Sequence, residues 1–539
     1  MNRLPKHFLI LALSLSGLLT LASCDNFLEE SDPNSTTPDN FFTSVENFNS
    51  YLTDTYSAFG TDSDLHSYRY LAVMLQQAGL SGNSSWTGTA DRNEIFNHSV
   101  SPTNGLVTGT WNSFYNVILQ TNDIITQGQE FMNNGDLSDS EMAQMEEILG
   151  QAYWIRAYSY FHLIRNWGVE PPGTDPSAKG VPLILEIPDV SGSFEAPRAT
   201  VGEVYDQILS DFQAAQERLP AQWESGQLGR PTSWAAKGFI GKVHLYRENW
   251  SEAASQFQDI LDNGPYSLAS AETYYKDMFH ESGDFASGNI FEFNFLNDTD
   301  TNWWSGGAGH FVAVFNGPRG HGFSNHFVHQ DNVDRLQEKN DPRLDVVALE
   351  PGVDSLLIDG EPEAVVDHDG DLAGKQWSHR KYVFLDQSVF AANANGGSNI
   401  IVMRLADVML MLAEARAEMG NSAGACDLIE EVRERAYTDV PDVTGDVDES
   451  GAEIPDCESN ALKNVYEERY VELMAEGHRW FDMQRWERVE DLFERHPSGV
   501  KSAPSLEYRG LINEIWPIPQ DEIDSNPAIQ QSRPWEGGS

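Results

Sequence analysis

The chain has 539 residues, 34 of them basic and 83 acidic, for a formal net charge of −49. Hydrophobic residues make up 40% and aromatics 11%, enough apolar material for a sizeable core, which excludes global disorder. The reversed charge balance excludes nucleic acid as a partner and contact with an anionic membrane face through a basic patch. Only ten basic residues are lysines. An acidic, lysine-poor chain suits high salt, where the Debye length shrinks to roughly 3 Å at about 1 M and self-repulsion costs little.

At the N-terminus, Arg3 and Lys6 precede an apolar stretch, residues 8–21, that is too short to span a ~30 Å hydrocarbon core. Leu21-Ala22-Ser23-Cys24 follows. The segment reads as a signal peptide over residues 1–23, and the Cys after Leu-Ala-Ser resembles a bacterial lipobox, so Cys24 is the expected lipidated first residue. Removing 1–23 leaves 32 basic and 83 acidic residues, a charge of −51. Of the remaining cysteines, Cys426 sits in a helical pattern and Cys457 in an acidic loop. Export would allow one disulfide between them; the alternative is a buried thiol and an unrelated surface thiol. No closely spaced Cys pair marks a zinc knuckle or a redox motif.

Helical periodicity is expected over residues 51–77, 111–125 and, most clearly, 145–167. There Leu149, Tyr153, Ala157, Tyr160, Ile164 and Trp167 recur at spacings of three and four, and Pro171-Pro172 bars continuation. Val181-Pro182-Leu183-Ile184 reads as a short extended piece. Thr200 and Glu203 stand at capping-box spacing before a helix that runs to Leu219. Residues 232–247 and 250–263 form a helix pair whose small residues, Gly238 and Gly241, allow close packing. Its order of small and large residues resembles a tetratricopeptide repeat. A second pair covers 404–419 and 423–436. Each pair buries its apolar face only by stacking on neighbours, so a helical array is expected. Residues 289–400 differ: Ile290 to Phe295 alternates like a strand, and long Gly-, Asn-, Trp- and His-rich loops follow, a composition that favours function.

Several segments resemble the SusD/RagB family of outer-membrane nutrient-binding lipoproteins. They include Ala157-Tyr158-Ser159-Tyr160-Phe161-His162-Leu163 with Arg165-Asn166-Trp167-Gly168, then Pro197-Arg198-Ala199-Thr200-Val201 and Gly229-Arg230-Pro231-Thr232. Asn340-Asp341-Pro342-Arg343 and Arg404-Leu405-Ala406-Asp407 come next. Glu468-Arg469, Glu472, Glu476-Gly477-His478-Arg479-Trp480-Phe481-Asp482, Arg485-Trp486 and Trp516-Pro517-Ile518-Pro519 complete the ordered set. The resemblance implies a mainly α fold: about four tetratricopeptide-like helix pairs in a right-handed superhelical scaffold, with an irregular lobe carrying short strands. On that reading residues 24–539 form one domain. Its scaffold covers about 40–280 and 400–490, its ligand-binding lobe about 281–399, and 491–539 are a C-terminal extension. It also implies a non-catalytic, oligosaccharide-binding lipoprotein anchored in the outer membrane and facing the exterior. The implied partner is a SusC-like TonB-dependent transporter, and no cofactor is implied. A peptide-binding RagB-type receptor and a tetratricopeptide-type scaffold for a protein partner are the alternatives.

Glu476, Arg479, Asp482 and Arg485, spaced three apart, read as a structural ladder on one helix face, each pair stabilising by ~0.2–0.5 kcal/mol. Catalytic signatures do not complete themselves. His280-Glu281 lacks the second His of a zinc-protease helix, and Gly306, Gly307 and Gly309 do not open a helix. Asp367-His368-Asp369-Gly370-Asp371 lacks EF-hand spacing, and His310, His321, His326 and His329 fit no standard metal pattern. With so many acids, no carboxylate pair can be nominated on type alone, so neither metal nor catalytic residues are assigned. Sugar recognition needs flat aromatics for C–H faces and planar polar groups for hydroxyls, and loop aromatics are the informative ones because stripe aromatics are core. Trp86 and the pair Trp303-Trp304 lie in loop sequences. They match the places from which the resembled family draws its binding aromatics, namely the loop after the first long helix and the central irregular region. Asn83, Asn302 and Arg319 are the polar candidates. Trp154, Trp167, Trp234, Trp480 and Trp486 are assigned to the core or helix joints.

Overall fold

The long apolar stripes become helices, and capping residues set where they begin. The computed structural model describes residues 41–60, 84–86, 90–96, 98–168, 175–187, 195–295, 312, 316–318, 322, 326–328, 330–358, 361–364, 377–383, 397–437, 456–495, 508–532 and 535. Helix α1 (Val45–Gly60) starts ahead of the expected 51–77, whose remainder lies outside the described residues. Strand β1 (Ser84–Trp86) and the short α2 (Ala90–Phe96) lead to α3 (Gly105–Asn134), which is longer than expected because Asn104 accepts from the Leu106 and Val107 amides. A Ser138–Glu141 capping box starts α4 (Asp139–Trp167) before the stripe itself. Strands β2 (Lys179–Pro182) and β3 (Arg198–Thr200) pair antiparallel. Thr200 and Glu203 then form the expected capping box of α5 (Val201–Arg218).

The hairpin α6 (Ser233–Tyr246) and α7 (Trp250–Asn263) closes as the small residues predict: a Cβ added at Gly241 would come within 2.6 Å of the Phe257 ring. The chain then leaves the array and returns at a second hairpin, α11 (Leu405–Glu418) and α12 (Ser422–Ala436). Helix packing runs α1, α3, α4, α5, α6, α7, α11, α12, so the excursion is inserted between two stacked pairs. It carries α8 (Ala271–Lys276), β4 (Asn289–Phe293), β5 (His326–Val328), α9 (Gln330–Glu338), α10 (Leu344–Val347), β6 (Ala348–Leu349), the β7 (Ser355–Ile358) and β8 (Glu361–Ala364) hairpin, β9 (Trp377–His379) and β10 (Ile400–Arg404). Strand β10 pairs with β4 and runs straight into α11. Then come α13 (Ala461–Glu472), α14 (Arg479–Arg485), α15 (Val489–Arg495), α16 (Leu511–Glu514) and α17 (Gln520–Ser525).

One apolar cluster runs from Phe42 to Ile529 and contains the fully buried Trp154, Trp167 and Trp480. Trp234 and Trp486 pack against it half-buried. A smaller cluster joins Val328, Val347 and Trp377 of the excursion to Tyr470, Val471 and Met474, which seats the strands on α13. Cys426 and Cys457 are joined in a disulfide that ties α12 to the turn before α13.

The C-terminal ladder is not what the spacing suggests. Helix α13 stops at Glu472, Ala475 (φ 62°) and Gly477 (φ 83°) turn the backbone, and α14 starts only at Arg479. Glu476 therefore lies between two helices and pairs with Lys381 and Arg404 from elsewhere in the chain. Only Asp482 and Arg485 keep the i,i+3 pairing.

Candidate functional site

Strand β1, which ends at the candidate Trp86, joins the excursion through a strand pairing. It pairs antiparallel with β5, in the four-strand order β1-β5-β9-β6, with Trp86 opposite His326, Ser85 opposite Phe327 and Ser84 opposite Val328. The chain leaves β1 at Trp86, at the same end of the sheet where it enters β5 at His326. A segment far ahead in sequence is thus joined to the excursion that carries the other candidates. Asn83, Asn302, Trp303, Trp304, Arg319 and Cys24 lie outside the described residues, as do the Asp367–Asp371 run and His310, His321 and His329.

Beneath the sheet, the charged motif residues form a buried ionic junction. Arg343 donates to Asp341 (2.8 Å), Glu468 and Glu472. Arg404, closing β10, donates to Glu472 (2.7 Å) and Glu476 (2.7 Å), and Arg435 also donates to Glu472. Lys381, just after β9, donates to Glu476 (2.7 Å) and to the Met474 carbonyl (2.9 Å). A second part links Arg469 to Asp407 (2.8 Å) and Asp482 (2.9 Å), and Arg485 to Asp482 (2.8 Å) and Glu414. Burial alone would raise the Glu472 carboxyl, but Arg435, Arg404 and Arg343 hold it well below the usual carboxylate range. Asp407 is depressed in the same way by Lys242, His478 and Arg469. Burial pushes Lys381 down to about 8 and His478 down to about 4. These groups orient the lobe strands on α13, and the carboxylates of Glu472, Glu476, Asp407 and Asp482 are each held by two or more cationic side chains.

An open cavity of about 240 Å³ lies between the start of α6 and β4, walled by Trp223, Arg230, Tyr266, Phe285 and Glu292 among others. Trp223 and Phe285 are not among the residues that the sequence nominates. Both stand in loop sequence, Gln222-Trp223-Glu224-Ser225 and Gly283-Asp284-Phe285-Ala286, so the loop-aromatic criterion that selected Trp86 would have found them. Burial pushes Glu292 up to about 7 and Asp284 up to about 6, values suited to acid–base chemistry. Both oxygens of Glu292 are nevertheless engaged, accepting from the Phe285 amide, Asn289 (2.7 Å) and Asn399 (3.1 Å), and the residue is 3% exposed. Its role is to hold the turn at Phe285. Among the described residues, no three His, Cys, Asp or Glu side chains converge as metal ligands, and no helix is long and apolar enough to cross a membrane.

Comparison with known proteins covers nearly the whole chain. The family model described as "SusD family" matches residues 287–535, and the one described as "Starch-binding associating with outer membrane" matches residues 26–245. A curated relative, SusD-like protein P25 of Formosa agariphila, is 27% identical over 95% of both chains. Among solved structures, a laminarin binding SusD-like protein superposes with a TM-score of 0.69 at 22% identity, covering 92% of this chain and 100% of its own. Surface glycan-binding protein A from Bacteroides thetaiotaomicron gives a TM-score of 0.69 at 19% identity, covering 91% of this chain and 99% of its own.

Proposed function

Because the chain belongs to the SusD family, we propose that it is a cell-surface lipoprotein that captures an oligosaccharide and delivers it to a SusC-like TonB-dependent transporter in the outer membrane. The observation that carries this reading is the pairing of β1 with β5, because it joins the loop of Trp86 to the lobe that contains the other aromatic candidates. The aromatics Trp86, Trp303 and Trp304 serve as platforms for pyranose C–H faces, and Asn83, Asn302 and Arg319 meet hydroxyls. Cys24, exposed by removal of residues 1–23, carries the lipid anchor. Residues 24–539 act as one unit, with the ligand held in the lobe of about 281–399 and the helix pairs as its support. The disulfide between Cys426 and Cys457 agrees with export to an oxidising compartment.

The protein works by binding and not by turnover. A retaining or inverting glycosidase needs two carboxyls facing each other across the sugar, and the raised pair Glu292 and Asp284 is instead tied to Asn399. The starch-binding description of one matching family model and the laminarin-binding description of a structural neighbour support a glycan over a peptide as ligand.

The test is a broad glycan array probed with the protein lacking its signal segment. Binding without turnover is expected, and Trp303→Ala with Trp304→Ala should weaken it by ~1 kcal/mol or more per platform while the fold stays intact. A protein that binds no glycan at its working salt but binds peptides tightly would be a peptide receptor instead. Unchanged affinity in the double variant would move the site away from these tryptophans.

A further inference from the structure

We propose that the cavity between α6 and β4 is a second sugar-binding site, taking one pyranose residue with its C–H face on Phe285 and its hydroxyls toward Arg230 and Gln222. It depends on the glycan reading only for the class of ligand. None of its lining belongs to β1, β5 or the loops of Trp86, Trp303 and Trp304.

Phe285 is the first support. It holds φ at 58°, in the left-handed region that a bulky residue avoids, and its side chain is 37% exposed. The turn is fixed from below, since the Phe285 amide donates to buried Glu292, which also accepts from Asn289 and Asn399. The turn leaves the ring exposed among the residues that line the cavity. The lining also includes Leu228, 38% exposed. Two of the few exposed large apolar side chains among the described residues therefore meet at one opening.

The walls supply the rest of a sugar site. Trp223 spends its indole N–H on the Pro231 carbonyl (2.9 Å), leaving its ring to line the space. Arg230 lies 5.9 Å from that ring and donates to Gln151 (3.0 Å) through one nitrogen of its fork. Gly229, at φ 89°, lets the turn carrying Leu228 and Arg230 approach the end of β4, where a Cβ would come within 2.6 Å of Asn294. Arg230 and Glu292 are the charged residues of the lining, so a neutral ring fits better than a polyanion. The volume of about 240 Å³ is below the ~300–1,000 Å³ of pockets for larger ligands, which suits one ring.

Hydrogen exchange on the protein without its signal segment, with glucose, galactose, mannose or xylose as probe, tests this. Concentrations of roughly 10 mM exceed the dissociation constant on the order of 1 mM expected of one ring. Peptides spanning 222–232 and 284–292 should gain protection, and Phe285→Ala or Arg230→Gln should weaken it about tenfold. Trp303→Ala with Trp304→Ala should leave this protection unchanged. No protection by any of the four sugars, protection that survives both cavity substitutions, or its loss in the tryptophan double variant each overturns the proposal. Protection here with an empty glycan array would instead remove the oligosaccharide-capture reading and leave this site standing.

Discussion

The helical array and the junction where the lobe meets α13 and α14 are equally buried but are held by opposite chemistry. In the array, Trp154 sits 5.0 Å from the Tyr158 ring and 5.4 Å from Phe239, and Phe257 fills the space left by Gly241. At the junction, Arg343, Arg404, Lys381 and Arg469 bind Asp341, Glu468, Glu472, Glu476, Asp407 and Asp482. Apolar contacts hold consecutive helices without dictating direction. Forked ion pairs fix orientation where the chain returns from a long excursion and periodicity no longer helps. The array uses such a pair too, Arg156 with Asp211 between α4 and α5. The division also sorts charge. Among the described residues the interior holds eleven of the 34 basic side chains and ten of the 83 acidic ones, so it is nearly neutral and carries none of the net −49.

The largest expected effect comes from breaking the junction. Glu472→Ala leaves Arg343, Arg404 and Arg435 with an uncompensated charge in a closed interior, and should cost ~3–5 kcal/mol in denaturant unfolding. A loss under ~1 kcal/mol would mean that the junction is held by its apolar neighbours instead.

Acid should also open the junction side. Burial, reinforced by nearby cations, lowers His478 to about 4, beside Asp407, Lys242, Arg469 and Glu476. It lowers His379 to about 3, beside Lys381, and His280 to about 4, beside Arg380 and Asp277. Each is neutral in the folded protein but takes a proton in the unfolded chain below about 6.5. Their stabilisation is full above that pH and is lost as pH falls toward 4, on the order of 3 kcal/mol each. Glu292 and Asp284 act with the opposite sign, because their raised values favour the folded state as pH falls, but two acids offset only part of three histidines. Net stability should fall between pH 6.5 and 4, and His379→Gln should flatten that limb. An unchanged limb in the variant would exclude this histidine as a source.

A smaller effect is expected in the array. Gly241→Ala pushes a methyl into the Phe257 ring and should cost ~1–3 kcal/mol in thermal unfolding, through overpacking alone. No cost would show that α6 and α7 can slide apart, which the junction cannot do.

The same contrast explains what could be read from the sequence. Helices α4, α5, α6, α7, α11 and α12 were legible because their apolar spacing and caps are local, as with Thr200 and Glu203. The junction was not, because its pairs join residues far apart, such as Arg343 with Glu468 and Lys381 with Glu476. Spacing alone put Glu476 on one helix face with Arg479; the positive φ at Ala475 and Gly477 that separates the two helices has no periodic signature. Of the site, the sequence around Trp86 reads as a loop, whereas Trp86 ends strand β1, and its partnership with His326 is a tertiary pairing that no local pattern announces. Phe285 was missed because its exposure depends on a strained turn fixed by Glu292 from the next strand.

The smallest effect per side chain, and the broadest, concerns the acidic exterior. Salt shortens the Debye length from about 10 Å at 0.1 M to about 3 Å at 1 M, so repulsion among exposed carboxylates fades. Exposed ion pairs such as Lys276 with Glu272 weaken as well, but such pairs contribute ~0–1 kcal/mol and few basic residues are left to form them. The junction pairs, almost wholly excluded from solvent, are screened little. The melting temperature should therefore rise between low and molar NaCl, and Glu472→Ala should shift the whole curve down without changing its slope. A melting temperature that falls with salt would mean that the exterior charge is no burden to the fold. A slope altered by Glu472→Ala would mean that the two regions are electrostatically coupled.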